Sequence, residues 1–360
     1  MRALARVSRG AIERNCRLLS GRAGDAALCA VVKADGYGHG APEAARAALA
    51  GGATWLAVAT AQEAADLRAA GIDARLFVMG ALTREDLQQA LGADADIGVW
   101  THELLEAASG ARVHVKFDSG MGRLGTKDPG EVRALCEKAA ADPETTLAGV
   151  WTHFATADER GDDHFPEQLR HFTVLANEIR ASHPGTSAHA ANSAATLRDP
   201  AAHFDLVRCG VAIYGLDPFQ HDPAGEGLEP ALSLSSYVAA VKLFQPGESA
   251  GYGRRWAAKT LTNVGVIPIG YGDGWRRALT NNADVLIRGR RHPLVGTVSM
   301  DNITVELGAE TDVEPGDEVV LIGSQGDERI LAEEVAARLD TINYEVTCGI
   351  GRRVRYLHEQ

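Results

Sequence analysis

The chain has no C-x-x-C pair, no H-E-x-x-H and no long apolar run, and each absence excludes a class of protein. Its five cysteines (Cys16, Cys29, Cys136, Cys209 and Cys348) are scattered. That pattern argues against a disulfide frame or a zinc knot and fits reduced thiols in a cytoplasm. The 12 histidines show no metal-ligand spacing, so no metal is expected; His164 and His171, on one helix face, read as two solvated histidines. Positive charge is short as well. Lys and Arg number 36 against 48 Asp and Glu, a net charge of −12, which argues against nucleic acid or an anionic membrane as partner. No stretch approaches the ~20 apolar residues that span a bilayer. The opening MRALARVSRGAIERN has basic residues but no apolar core behind them, so a signal peptide is not expected. Internal repeats and low-complexity tracts are lacking too.

What is present is an ordinary globular composition, 45% hydrophobic and 23% charged over 360 residues. That length suits two domains, or one barrel plus a smaller unit. From about residue 10 to 215, short β-rich runs alternate with Ala-rich helical runs. The β runs are AALCAVV, WLAVA, RLFVMG, DIGVW, RVHVKF, LAGVW, TSAHA and FDLVRCG. Several of the intervening helices open on Thr, Pro or an acid and close on Gly, as capping requires. This alternation predicts an α/β protein with an N-terminal (β/α)₈ TIM-type barrel. Residues 216–230, LDPFQHDPAGEGLEP, read as a linker. Beyond it, β runs punctuated by Gly and Pro predict a C-terminal, mainly antiparallel β domain with one helix at 330–340. The expected domains are 1–225 and 226–360.

One stretch points elsewhere. GMGRLG, residues 120–125, spells the G-x-G-x-x-G fingerprint of a dinucleotide loop. Such a loop should follow a first strand and open directly into a helix, where the helix N-terminus receives a pyrophosphate. Here it follows several β/α units, the preceding run ends in Lys116-Phe117-Asp118, and a turn, TKDP, comes next. It reads instead as a glycine-rich loop at a barrel mouth that carries Arg123.

The more informative stretch is AVVKADGYGHG, residues 30–40. An apolar strand delivers Lys33 at its C-terminal end, where barrel enzymes place chemistry. A lysine beside apolar walls can act as a nucleophile toward an aldehyde. Tyr37 can offer its hydroxyl from the same loop. KADGYGHG resembles the pyridoxal-phosphate attachment motif of alanine racemases. The resemblance continues in order through KFDSGMGRLG, THFATADE, ANSAATLR, VRCGVAIYGL, GYG at 251–253, IPIGYGDGW, VSMDN and NYEVTCGIGRRVR. It implies fold type III, a barrel followed by a β domain, and interconversion of L-alanine and D-alanine that supplies peptidoglycan precursor from the cytoplasm.

By this resemblance Lys33 binds pyridoxal 5'-phosphate covalently and then acts as one base. Tyr37, Ser193, Gly210, Val211 and Tyr344 hold the phosphate, a role that fits free amides at a helix start after the last barrel strands. Arg208 faces the pyridine nitrogen. A guanidinium cannot accept a proton, so the ring stays unprotonated, a weaker electron sink that favours simple proton return. Inversion needs a second acid–base group on the opposite face, and Tyr252 matches it. A free tyrosine has a pKa near ~10, so as a base it needs a cationic neighbourhood to stabilise its anion, and His153 and Arg208 would form that hydrogen-bonded chain. Tyr252 lies in the β domain, and the family pattern brings it from the other subunit of a homodimer with shared sites. Arg123 would bind the substrate carboxylate. Lys116 matches a lysine often carbamylated. Met300 and Asp301 would close the pocket, and Tyr271 and Asp158 line the access channel.

Two departures stand out: Thr297 occupies a position where many relatives carry arginine, and Ser8 stands where an acid often precedes the first helix. Rival readings are a serine or broader-specificity racemase, a pyridoxal-phosphate decarboxylase of similar architecture, a cofactor carrier with only the barrel, and a dehydrogenase.

Overall fold

The computed structural model describes residues 2–360, which divide into two compact units. One comprises Ile12–Phe219 with Glu226–Glu229; the other takes residues 2–11, Gln220–Gly225 and Pro230–Gln360. No helix among the described residues is long and apolar enough to cross a membrane.

The first strand, β1 (Leu4–Ser8), belongs to the second unit. The barrel is made by β2 (Ala27–Val31), β3 (Trp55–Val58), β4 (Arg75–Val78), β5 (Ala95–Val99), β6 (Arg112–Lys116), β7 (Thr146–Trp151), β8 (Ser187–His189) and β9 (Leu206–Cys209). All are parallel, in the order β8-β7-β6-β5-β4-β3-β2-β9. The two ends of that ladder are joined where Asp205 N–H donates to Ala188 O at 3.1 Å and Arg208 N–H to Ala191 O at 2.9 Å. The eight expected β runs are these eight strands. Burial on both faces is why they read as apolar runs and not as alternations, β5 being buried along its whole length. The helices start where capping places them. Thr60 and Thr83 each close a capping box, with Glu63 and Asp86, and Asp128 and Asn192 accept from Gly130 and Ala195 N–H. Ser8 takes the place of the missing acid, its Oγ accepting from Ala11 N–H at 3.1 Å.

The barrel core is apolar at Phe77 and Trp151, whose rings meet edge to face at 5.2 Å. At the N-terminal end of the strands it holds an ionic plug. Asp96, fully buried, accepts from Arg75 Nη2 at 2.7 Å and Arg112 Nε at 2.6 Å, and from His114 Nε2 at 2.9 Å. Burial alone would raise this carboxyl's pKa, but the bonds from His114, Arg75 and Arg112 outweigh it and hold the value down at about 2.

The second unit contains two sheets. One has the order β14-β13-β16-β10-β1-β18, with β17 on β16, from β10 (Leu232–Tyr237), β13 (Asp284–Ile287), β14 (Arg290–Pro293), β16 (Glu318–Gln325), β17 (Glu328–Ile330) and β18 (Arg355–Glu359). The other is β11-β12-β15, from β11 (Ala240–Phe244), β12 (Thr262–Ile267) and β15 (Ile303–Gly308). Every pairing is antiparallel except β1 with β18.

Two boundaries differ from a division at 225/226. Residues 2–11 join the β unit because β1 satisfies its backbone there, against β10 on one edge and β18 on the other, with Ala5 and Val7 buried. Glu226–Glu229 stays with the barrel, where Asn15 exchanges two hydrogen bonds with the Glu229 backbone at 2.8 and 2.9 Å. The expected helix at 330–340 appears as Ala332–Arg338, and a second, Asn343–Cys348, follows it. Buried Asn343 anchors that second helix by donating to Glu333 Oε1 at 2.9 Å.

Asp96 generates a prediction. Its pKa in the folded chain lies below the unfolded value of ~3.9, so the stability it contributes is complete above about pH 4 and is lost as pH falls toward 2. Asp96→Asn should remove about 2 kcal/mol at neutral pH and flatten the pH 4-to-2 slope. Urea unfolding followed by circular dichroism across that range checks it; an unchanged slope would contradict the assignment.

Candidate active site

Lys33 stands directly after β2, at the C-terminal end of the barrel. The chain then makes one left-handed turn, with φ of 52°, 51°, 64° and 53° at Ala34, Asp35, Gly36 and Tyr37. Three of these are not glycine, and left-handed backbone costs roughly 1–2 kcal/mol per such residue. Side chains hold the strained turn in place. Glu63 accepts from Ala34 N–H at 2.7 Å and from Ala59 N–H at 2.8 Å, tying this loop to the one after β3. Asp35 accepts from Ala41 N–H at 2.8 Å and opens the next helix. The turn aims Tyr37 back over the barrel, its ring 5.3 Å from that of Tyr214, whose hydroxyl donates to Val31 O at 3.1 Å.

The Tyr37 hydroxyl lies over Gly210. A Cβ on Gly210 would sit 2.4 Å from it, so position 210 has no room for a side chain. Ser193 opens the helix Ser193–Arg198 after β8, and its Oγ accepts from Gly210 N–H at 3.0 Å and Ala212 N–H at 3.3 Å. Val211 begins the turn that follows β9. The mouth after β8 and β9 is thus a small cradle of hydroxyls and amides.

Beside the cradle sit cations. Arg208 is buried on β9; its Nη1 donates to His189 Nδ1 at 2.8 Å, and its Nη2 to Thr152 O at 2.8 Å and Ala190 O at 3.0 Å. His153 Nδ1 lies 3.4 Å from the same Nη2. Among the described residues Arg208 meets no carboxylate, and its Nε–H and one Nη1–H have no acceptor. Burial lowers the Arg208 pKa to about 10, still a cation at neutral pH. Burial and the charges of Arg208, Arg123, Lys116 and Lys33 push His153 well below its ordinary value, so it is neutral.

Lys116 ends β6 almost wholly buried, its Nζ 4.1 Å from the centre of the Trp151 ring. Burial first, then Arg208 and Arg123, lower its pKa to about 7. Arg123 is exposed on the GMGRLG loop. That loop closes on itself: Asp118 accepts from Gly120 and Gly122 N–H, and Thr126 bonds back to Lys116 and Asp118. The amides a dinucleotide would need are turned onto Asp118. His164, expected as solvated, instead packs on this loop, its Nε2 3.2 Å from Gly120 O, because Gly120 has no side chain to exclude it. His171 is exposed, as is Asp158 in the loop after β7.

The remaining candidates belong to the β unit. Tyr252 is 74% exposed, its carbonyl held by the Thr297 hydroxyl at 2.6 Å. The departure at 297 therefore supports the Tyr252 backbone. Met300 and Tyr271 are also exposed, on two loops joined by Tyr271 N–H to Ser299 O and Gly272 N–H to Met300 O, both 3.0 Å. Asp301, expected near the substrate, is paired with Arg353 at 2.6 Å and Arg2 at 3.3 Å. Tyr344 is half-buried in the helix Asn343–Cys348.

Three polar residues went unnoticed in the sequence. His189 Nε2 lies 2.9 Å from His114 Nδ1, and His114 leads on to Asp96; all three are fully buried. The available signal was parity: His114 and Lys116 share one face of β6, so an inward imidazole was implied beneath the lysine.

Fold and site together define a two-unit barrel enzyme with a lysine, a cationic wall and an amide cradle at its mouth. Two family models, alanine racemase N-terminal domain and alanine racemase C-terminal domain, match residues 7–218 and 231–358. The alanine racemase of Thermobifida fusca is 43% identical over 362 residues, spanning 97% of this chain and 96% of that protein. The structure of alanine racemase from Streptomyces coelicolor A3(2) superposes with a TM-score of 0.94 at 38% identity, covering 99% of this chain and 98% of that one. That of alanine racemase from E. faecalis gives 0.94 at 36% identity, with 99% and 98% covered. The chain belongs to the alanine racemase family and is an isomerase of the pyridoxal-phosphate-dependent kind.

The cradle can be tested directly. Gly210→Ala places a methyl against the Tyr37 hydroxyl at a position whose backbone is not left-handed (φ −105°). Cofactor affinity should fall at least about tenfold, equivalent to about 1.4 kcal/mol, with the fold retained. Equilibrium dialysis against pyridoxal phosphate measures it, and unchanged affinity would show that the cradle is not the phosphate site.

Proposed function

We propose that this mouth holds pyridoxal 5'-phosphate and racemises alanine, with Lys33 and Tyr252 as the two bases. The observation that carries the reading is Arg208: a buried cation with two unused donors and no carboxylate beside it, in the same mouth as Lys33. Such a group suits an acceptor that stays unprotonated, as a pyridine nitrogen does. The fit extends to the phosphate: Tyr37 and Ser193 bring hydroxyls and Val211 an amide around Gly210, which has no space for a side chain and gives its own N–H to Ser193 Oγ; Tyr344 is assigned with them.

Bound through Lys33, the cofactor supplies an electron-withdrawing ring that makes the α-proton of the amino acid acidic. Lys33 Nζ moves that proton on one face. Tyr252 of the partner subunit moves it on the other, in a homodimer with shared sites, a reading supported by the 74% exposure of Tyr252 in the single chain. Neutral His153 accepts from the Arg208 fork through Nδ1, so its Nε2–H is free to donate to the tyrosine oxygen and to favour its anion. Arg123 takes the substrate carboxylate with its planar fork. Lys116, with a pKa of about 7, has a substantial neutral fraction at physiological pH. Its free amine can add carbon dioxide, forming a C–N bond and releasing a proton, to give a carbamate that pairs with Arg123. Met300 limits side-chain space, and Tyr271 and Asp158 line the approach. The enzyme works in the cytoplasm and supplies D-alanine for peptidoglycan.

Chiral chromatography of the products from L-alanine, L-serine and larger amino acids tests the substrate. Alanine should turn over fastest; faster turnover of a larger amino acid would favour a broad-specificity racemase.

Two bases on opposite faces make the loss of one directional. In Tyr252→Phe, α-hydrogen exchange from D₂O into D-alanine, the enantiomer assigned to Lys33, should survive at least about tenfold better than exchange into L-alanine. Mixing Tyr252→Phe with Lys33→Ala protein after dissociation should restore at most half of the wild-type activity, from mixed dimers with one complete site. Equal loss on both faces would contradict the two-base scheme, and no recovery in proven mixed dimers would contradict the shared site.

A further inference from the structure

Beneath Arg208 the barrel contains a line of buried polar groups that no step above uses. His189 on β8, His114 on β6 and Asp96 on β5 run from the mouth to the N-terminal end of the strands, linked at 2.8, 2.9 and 2.9 Å, and all three are fully buried. The space is built for them. A Cβ on Gly149, in β7, would sit 2.3 Å from His114 Nδ1, so the neighbouring strand gives up its side chain there.

The ends of the line fix its protons. Arg208 can only donate, so His189 Nδ1 accepts. Asp96, ionised between Arg75 and Arg112, can only accept, so His114 Nε2 carries a hydrogen. Between an obligate donor and an obligate acceptor, two neutral imidazoles have one arrangement: each has a bare Nδ1 and a protonated Nε2. Burial lowers the pKa of both rings, which agrees with their neutrality.

We propose that His189, His114 and Asp96 form a positioning relay for Arg208, in which the buried carboxylate sets both tautomers and so holds the guanidinium edge offered to the cofactor ring. The proposal rests on the reading that Arg208 faces the ring nitrogen. His189 pins Nη1, the carbonyls of Thr152 and Ala190 pin Nη2, and only Nε–H and one Nη1–H remain for the ring. If His114 could not accept, His189 would have no partner for its Nε2–H. Its other tautomer would then turn an N–H toward the N–H of Arg208, donor against donor, and the fork would shift.

His114→Leu breaks the relay, while Asp96 keeps Arg75 and Arg112. His114→Gln keeps it in kind, because one amide offers an oxygen toward His189 and an N–H toward Asp96. With cofactor bound and folding verified by near-ultraviolet circular dichroism, His114→Leu should lose at least about tenfold in kcat with KM changed less than about twofold. His114→Gln should recover most of that loss. The ¹⁵N shifts of the histidines report the tautomers independently: wild type should show bare Nδ1 on His189 and His114, and His114→Leu should move the proton of His189 to Nδ1. Unchanged kcat in a folded His114→Leu, or equal damage in both variants, overturns the relay. A protonated Nδ1 on either wild-type ring overturns it without any variant, which keeps the test decisive if His114→Leu does not fold. Arg208→Lys, run in parallel, separates the two levels. Unchanged racemisation there overturns the role of Arg208 itself, whereas loss there with none in His114→Leu overturns the relay alone.

Discussion

A guanidinium buried in a barrel without a carboxylate beside it is the constraint around which this mouth is arranged. Taking a cation out of water is costly, and the cost here is offset by three fixed acceptors. Its field reaches further than its contacts. It helps lower the pKa values of both Lys116 and His153, so at neutral pH His153 is uncharged and Lys116 has a substantial neutral fraction. A mouth with a buried permanent cation beside a lysine and a histidine that are readily deprotonated suits chemistry in which hydrogen is moved and no net charge is left behind.

The left-handed turn after Lys33 is the geometric counterpart. It brings the Tyr37 hydroxyl above Gly210 within four residues of the lysine, which an extended loop of that length would not do. The strain persists because neighbouring elements over-determine the loop: Glu63 accepts from Ala34 N–H, and Ala41 N–H donates to Asp35.

Much of this was legible in the sequence, and the limits have physical reasons. Eight apolar runs of strand length, spaced by capped helices, left little choice but a barrel, and a lysine ending the first of them marked the mouth. Arg208, Ser193 and Tyr37 were picked out by the resemblance of VRCGVAIYGL, ANSAATLR and KADGYGHG to family motifs, Ser193 also by its place at a helix start. The left-handed turn was not, since Ala34 and Tyr37 have no preference for that backbone and only Gly36 hints at it. The line through His114 and His189 was hidden because it joins strands far apart in sequence, and periodicity reports which way a side chain faces but not what it meets. The domain boundary slipped because LARVS, with its alternating burial, is a strand whose partners lie hundreds of residues away.

That last pairing sets an order on how the molecule can assemble. Leu4 lies opposite Ser235 in β10 and Arg355 in β18, so β1 lacks its first neighbour until all the barrel strands have left the ribosome, and its second until nearly all of the β unit has followed. Contacts this distant form late, after the entropy of a very long loop has been met. The barrel has all eight of its strands within Ile12–Phe219 and can close while β1 waits. For that interval the nascent chain carries an unpaired strand of alternating apolar residues ahead of its barrel, and a chaperone that shields such a segment would act on this protein earlier than on its barrel.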